Sequence, residues 1–147
     1  MTRYAEKTSV SSERSRAEIM TLKNEAIAPD LGALLDFLAG VRLNSATEKQ
    51  AQADLEQALA ETGWIFQREW RLSDRDIPDF VVRVNETVIV IELKTRAQRK
   101  RIYRQLERYA QHNQVDAVVL LTGTAMQLPS EISGKPARVA SMGAGWL

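Results

Sequence analysis

Cysteine is absent from the 147 residues, and histidine occurs once. Neither a disulfide framework nor a thiolate zinc site can form, and a lone imidazole argues against a zinc centre of any kind. Such a chain is at home in a reducing compartment, so a cytoplasmic location is expected. Long apolar runs are also missing: none approaches the roughly 18 residues that would cross a bilayer, and the first twenty residues are polar and mixed in charge. The expectation is a soluble protein with no membrane partner and no secretory leader. No glycine-rich phosphate loop is present, which weighs against phosphoryl transfer from a nucleotide. Net charge is scarce too, at +1, so the chain as a whole offers no excess that would draw in a polyanion.

What is present suffices for one hydrophobic core, with 44% apolar residues, and falls short of two independent α/β domains. A helical N-terminal extension over residues 1–43 and one domain over 44–147 are expected. Residues 1–10 lack apolar periodicity and read as a frayed arm. Helix-start chemistry at Ser11, Ser12 and Glu13 predicts a polar helix to about Ala28, which Pro29 and Asp30 should break. Leu31, Leu34, Leu35 and Leu38 then predict a second, short helix ending near Gly40.

Asn44, Ser45 or Thr47 caps a helix over 50–61, whose stripe is Ala51, Leu55, Ala58 and Leu59 and whose end is marked by Gly63. Phe66 to Leu72 suits a strand at or near a sheet edge. Residues 80–84 and 88–93 are β-branched strands that should pair as a hairpin, the second apolar on both faces as a central strand should be. A helix over 98–112, with Ile102, Leu106 and Tyr109 inward, leads to an apolar strand over 115–121, giving a strand–helix–strand unit. A further strand over 137–140 fits the punctuated tail.

The hairpin register follows from arithmetic. If Asn85 and Glu86 are the turn, Val84 faces Thr87, and the constant pairing sum of an antiparallel ladder sets Asp79 opposite Glu92. Facing side chains lie about 4.5–5.5 Å apart at Cβ, close enough for two carboxylates to share a divalent ion. Lys94, two residues beyond Glu92, falls on the same face. Uncompensated, the two acids would repel, and Mg²⁺ suits them because it binds through one or two carboxylates while keeping its waters. Lys94 could orient a water or stabilise charge developing on phosphorus. These parts point to hydrolysis of a phosphodiester.

Pro78-Asp79, a hairpin, and then Glu92-Leu93-Lys94 resemble the PD-(D/E)xK nuclease superfamily. Gln105 and Tyr109 match the Gln-x-x-x-Tyr signature of its RecB-like, lambda-exonuclease-like and Holliday-junction-resolvase-like branch. Glu48 occupies the place of the acid on the preceding helix. The resemblance, over roughly residues 47–121, implies a restriction-endonuclease-like α/β core, with a mixed central sheet flanked by helices. It further implies a DNA nuclease using a metal-activated water, with Mg²⁺ or its substitute Mn²⁺ held by Glu48, Asp79 and Glu92. Lys94 would assist the attack, and Gln105 and Tyr109 would support the geometry. A place in DNA recombination, repair or restriction is a family implication as well.

Each residue also has a plainer reading. Asp79 after proline can be turn chemistry, Glu-x-Lys can be a solvated pair, Tyr109 belongs to an apolar stripe, and Glu48 gains from the helix dipole alone. Glu56 and Glu61 compete for the place of Glu48. Between Lys94 and Arg108 seven basic residues are opposed only by Glu107. Arg96, Arg99, Lys100, Arg101 and Arg104 are therefore expected to position a nucleic-acid backbone, although a solvated helix face explains such a run equally simply. His112 reads as a helix-end residue, and Trp64, Trp70 and Trp146 as packing anchors. The competing functional reading is a catalytically silent nucleic-acid-binding or regulatory subunit with a nuclease-like fold; a nucleotide-hydrolysing metalloenzyme is a third. A homodimer joined by the N-terminal helices is left open.

Overall fold

The computed structural model describes residues 2–96 and 98–142, with side chains from residue 15 onward. Trp146 lies outside these. The chain runs α1 (Thr2–Gly40), α2 (Glu48–Ala60), β1 (Ile65–Arg68), β2 (Phe80–Val84), β3 (Thr87–Lys94), α3 (Arg99–Ala110), β4 (Ala117–Thr122), β5 (Glu131–Ile132) and β6 (Lys135–Ser141). The six strands form one mixed sheet in the order β1-β2-β3-β4-β6-β5. β1, β2 and β3 are antiparallel neighbours, whereas β3–β4 and β4–β6 are parallel. The architecture is α/β, a mixed sheet flanked by three helices.

Side-chain alternation divides the core. Phe80, Val82, Ile89, Ile91, Leu93, Val119 and Leu121 face α1 and α2. Val81, Val90, Val118 and Leu120 face α3, which contributes Ile102, Leu106 and Tyr109. β3 is buried on both faces because helices cover both sides, which accounts for its uninterrupted Val and Ile content.

The expected break at Pro29 does not occur. One helix spans Thr2–Gly40 with Pro29 inside it, including the segment expected as a frayed arm. A proline in a helix forfeits one main-chain hydrogen bond. Here Ile27, Leu31, Leu34 and Leu38 recur at steps of four, three and four across the proline, and all four are buried against the sheet. Burial worth roughly 1.5–3 kcal/mol per side chain outweighs that lost bond. Asp30 adds a tether, accepting from Asn85 Nδ2 at 2.7 Å and from Thr87 Oγ1 at 2.6 Å.

The hairpin register is Val84↔Thr87 through Phe80↔Ile91, as the arithmetic required. Asn85 takes the positive φ of 53° that the turn demands. Thr47 caps α2 by accepting from Gln50 N at 3.1 Å. β1 stops earlier than expected, at Arg68, because Glu69 turns into the left-handed region at φ 51°. Its N–H nevertheless reaches Asp79 O, tying the turn to the start of β2. No helix among the described residues is long and apolar enough to cross a membrane.

Candidate active site

One step past Phe80↔Ile91 the ladder opens. Pro78 has no N–H to give, and Leu93 N donates to the Asp79 carboxylate at 2.8 Å instead of continuing a main-chain ladder. Asp79 N in turn approaches Glu92 Oε2 at 3.4 Å. Asp79 and Glu92 therefore meet where β2 and β3 separate, each carboxylate addressed by the other's strand. Lys94, in alternation with Val90 and Glu92 on the α3 face, places Nζ 3.4 Å from Glu92 Oε1.

Three elements close around this group. From α2, Gln52 Nε2 donates to Asp79 Oδ1 at 3.2 Å, and Arg68 holds Gln52 and Glu56 in place at 3.1 and 2.8 Å. Glu48, one turn before Gln52, accepts from Thr95 N at 3.2 Å. From α3, Gln105 Nε2 donates to the Tyr109 hydroxyl at 2.8 Å, and that hydroxyl lies near enough to Glu92 to influence its carboxyl. From the loop before β2, Ile77 O lies 3.4 Å from the same hydroxyl. Glu48, Asp79, Glu92, Lys94, Gln105 and Tyr109 thus belong to one neighbourhood.

Gln52 was not anticipated. Its signal was the stripe Glu48, Gln52, Glu56 at intervals of four, beside the apolar stripe Ala51, Leu55, Leu59.

The electrostatics are those of confined like charges. Burial, and then the neighbouring Asp79, push the Glu92 carboxyl up to about 8, against the smaller opposing pull of Lys94. Asp79 is raised as well, by burial first, with Glu48 adding to the rise and Leu93 N and Lys94 working against it. The Tyr109 hydroxyl is held well above its ordinary range by burial and by Glu92, so it remains a hydrogen-bond donor. Two acids that resist ionising together gain from a cation between them.

The donor chemistry fits Mg²⁺ in its one- or two-carboxylate mode, through Asp79 and Glu92. Among the described residues no three carboxylate or imidazole side chains are grouped as a cation cage. Glu48 is near enough to influence Asp79, while its Oε1 is engaged by Thr95 N.

Beside the acids lies a cleft of about 570 Å³. Among the described residues, Lys94, Arg96, Arg101, Arg75 and Arg108 line it against a single carboxylate, Glu48, together with Gln98, Gln105 and Ile102. Of the arginines and lysine expected at a backbone-binding surface, Arg96 and Arg101 are in this lining. Arg99 gives its guanidinium to Ala125 O at 3.3 Å, and Lys100 and Arg104 are exposed on α3 outside the lining. Arg75 and Arg108 were not anticipated as cleft residues. His112, read as a helix-end residue, follows α3 and contacts buried Asp76, Nε2 to Oδ2 at 2.9 Å.

No protein-family model matches the chain, and no curated protein is significantly similar to it.

Proposed function

We propose that the chain is a metal-dependent DNA nuclease with a restriction-endonuclease-like core, hydrolysing phosphodiester bonds at Asp79, Glu92 and Lys94. The observation that carries this reading is the convergence of two mutually stressed carboxylates and an amine at the opening of a hairpin, beside a cationic cleft. Asp79 and Glu92 would hold Mg²⁺, which when bound polarises a phosphoryl oxygen and lowers the pKa of a water for attack.

The chain's own residues supply the rest. Glu92 gives up its proton before it can act as an anionic ligand, so occupancy of the site is coupled to proton release. Lys94, held beside Glu92, offers a cation for charge that grows on the phosphate as the bond to the leaving oxygen breaks. Tyr109, aligned by Gln105, stands beside Glu92, and Gln52 fixes the orientation of Asp79. The excess of guanidinium groups in the cleft supports a polyanionic substrate. The choice of DNA follows the resemblance of Pro78-Asp79, Glu92-Leu93-Lys94 and Gln105-x-x-x-Tyr109 to the PD-(D/E)xK nucleases.

The test is cleavage of linear, circular, single-stranded and branched DNA with Mg²⁺ or Mn²⁺, for the wild type and for Asp79→Ala and Lys94→Ala proteins whose fold is checked by circular dichroism. Metal-dependent cutting that falls at least ~10²-fold in both variants is expected. Intact DNA with retained binding would replace this reading with a silent nucleic-acid-binding module. Turnover confined to free nucleotides would replace it with a small-molecule hydrolase.

A further inference from the structure

The cleft's cations come from two separate parts of the chain. Arg75 sits on the loop between β1 and β2, while Arg101 and Arg108 lie two turns apart on one side of α3. Nothing in the local sequence pairs Arg75 with α3; the fold brings them to one wall. Behind them is Asp76, a buried carboxylate at 7% exposure. It accepts from Arg108 Nε at 2.9 Å and meets His112 Nε2 at 2.9 Å. Burial alone would raise the Asp76 carboxyl, but the bonds from His112 and Arg108 outweigh it and hold the group below its ordinary value.

The consequence falls on Arg108. Its hydrogen bond to Asp76 uses Nε only, on the inner edge of a planar fork, while the residue itself lines the cleft. A guanidinium fixed in this way loses little freedom when its remaining N–H groups meet an anion, and its geometry suits phosphate. Among the described residues the cleft lining includes no aromatic side chain, so these residues offer bases no stacking platform.

Resting on the nuclease reading, we propose that Arg75, Arg101 and Arg108 form a phosphate subsite for the polynucleotide backbone next to the acidic pair, binding it without regard to its bases. The cleft's volume, about 570 Å³, is in the range that encloses a small ligand or a short stretch of polymer. Affinity from such a site is electrostatic, and each phosphate contact contributes about 0.7 to the slope of log K against log salt for a single strand.

The experiment measures binding by fluorescence anisotropy in EDTA, where no metal-dependent cutting occurs. Its probes are a labelled single strand of about 20 nucleotides and an abasic strand of the same length, a length chosen to exceed the usual footprint of a single-strand groove, ~4–16 nucleotides. The wild type should bind both within about threefold of each other, since stacking contributes nothing. Arg75→Gln and Arg108→Gln should each weaken binding at least ~5-fold and flatten the salt slope by about 0.7.

Arg108→Gln also leaves Asp76 short of a partner; Arg75 is exposed, so Arg75→Gln carries the test if Arg108→Gln misfolds. Unchanged affinity and slope in Arg75→Gln, a wild type that binds neither strand, or an abasic strand bound more than ~10-fold more weakly, as lost stacking would require, would each overturn the subsite. If the wild type cuts DNA and Asp79→Ala does not, the nuclease reading survives any of those results. Loss of cutting with the arginine effects intact would remove the nuclease reading alone.

Discussion

Replacing Glu92 by glutamine should make the metal-free protein more stable, and increasingly so as pH rises from about 5 to 8. An ordinary glutamate ionises near 4.5, whereas burial and Asp79 hold Glu92 protonated up to about 8. Between those values the unfolded chain has released a proton that the folded chain still holds. Stability therefore falls with rising pH, by at most about 1.4 kcal/mol per unit, and levels off above the folded value. Integrated over the window, the ceiling is on the order of 4 kcal/mol; relaxation and water entry at the hairpin opening reduce it, so roughly 2–4 kcal/mol is expected at pH 8.

Glutamine keeps the shape and cannot ionise, so it escapes this loss. Urea denaturation of wild type and Glu92→Gln in EDTA, at pH 5 and at pH 8, isolates the carboxylate pair, because groups that do not interact with residue 92 cancel in the difference. Near pH 5 the two should differ little. A difference that stays flat from pH 5 to 8, or grows in favour of the wild type, would refute the electrostatic account of the carboxylate pair.

Two further outcomes follow from packing and hydrogen bonding. Leu34 is fully buried between α1 and the sheet, so Leu34→Ala should cost about 3–4 kcal/mol in urea denaturation; a cost below about 1 would mean that this part of α1 is an appendage. Tyr109→Phe removes the hydroxyl that Gln105 supports beneath Glu92, and under the nuclease reading kcat should fall about tenfold with the fold retained by circular dichroism, whereas an unchanged kcat would make Tyr109 a packing residue only.

Much of this geometry could be read from spacing. Two turn residues fixed the register that brings Asp79 to Glu92, period two put Lys94 beside Glu92, and the stripe Ile102, Leu106, Tyr109 oriented α3. Local signals failed where tertiary contacts prevailed. Pro29 and Asp30 have the chemistry of a helix break, but the stripe that runs across them is buried on both sides of the proline, and Asp30 bonds to residues more than fifty positions away. β5 has two residues, too few for any alternation to show.

Asp76 escaped notice because an aspartate between Arg75 and Ile77 looks like ordinary turn chemistry. Its partners, Arg108 and His112, lie a full helix and two strands further on. Arg75 and Arg108 were legible as charges but not as neighbours.

The tether at Asp30 bears on the site from the opposite end of the hairpin. Asp79 and Glu92 stand five residues beyond Val84 and Thr87, about 17 Å along the strands. Between those ends the one polar side chain is Arg83, which is exposed and pairs with Val88; the polar contacts that bear on the register lie at the turn, where Asp30 grips Asn85 and Thr87. A slip of one residue there would turn Glu92 from the α3 face to the α1–α2 face and carry it away from Tyr109 and the cleft. The long N-terminal helix thus acts as a gauge block for the carboxylate pair at the other end of the hairpin, and a change at residue 30 would be felt as misalignment at the far end of the sheet.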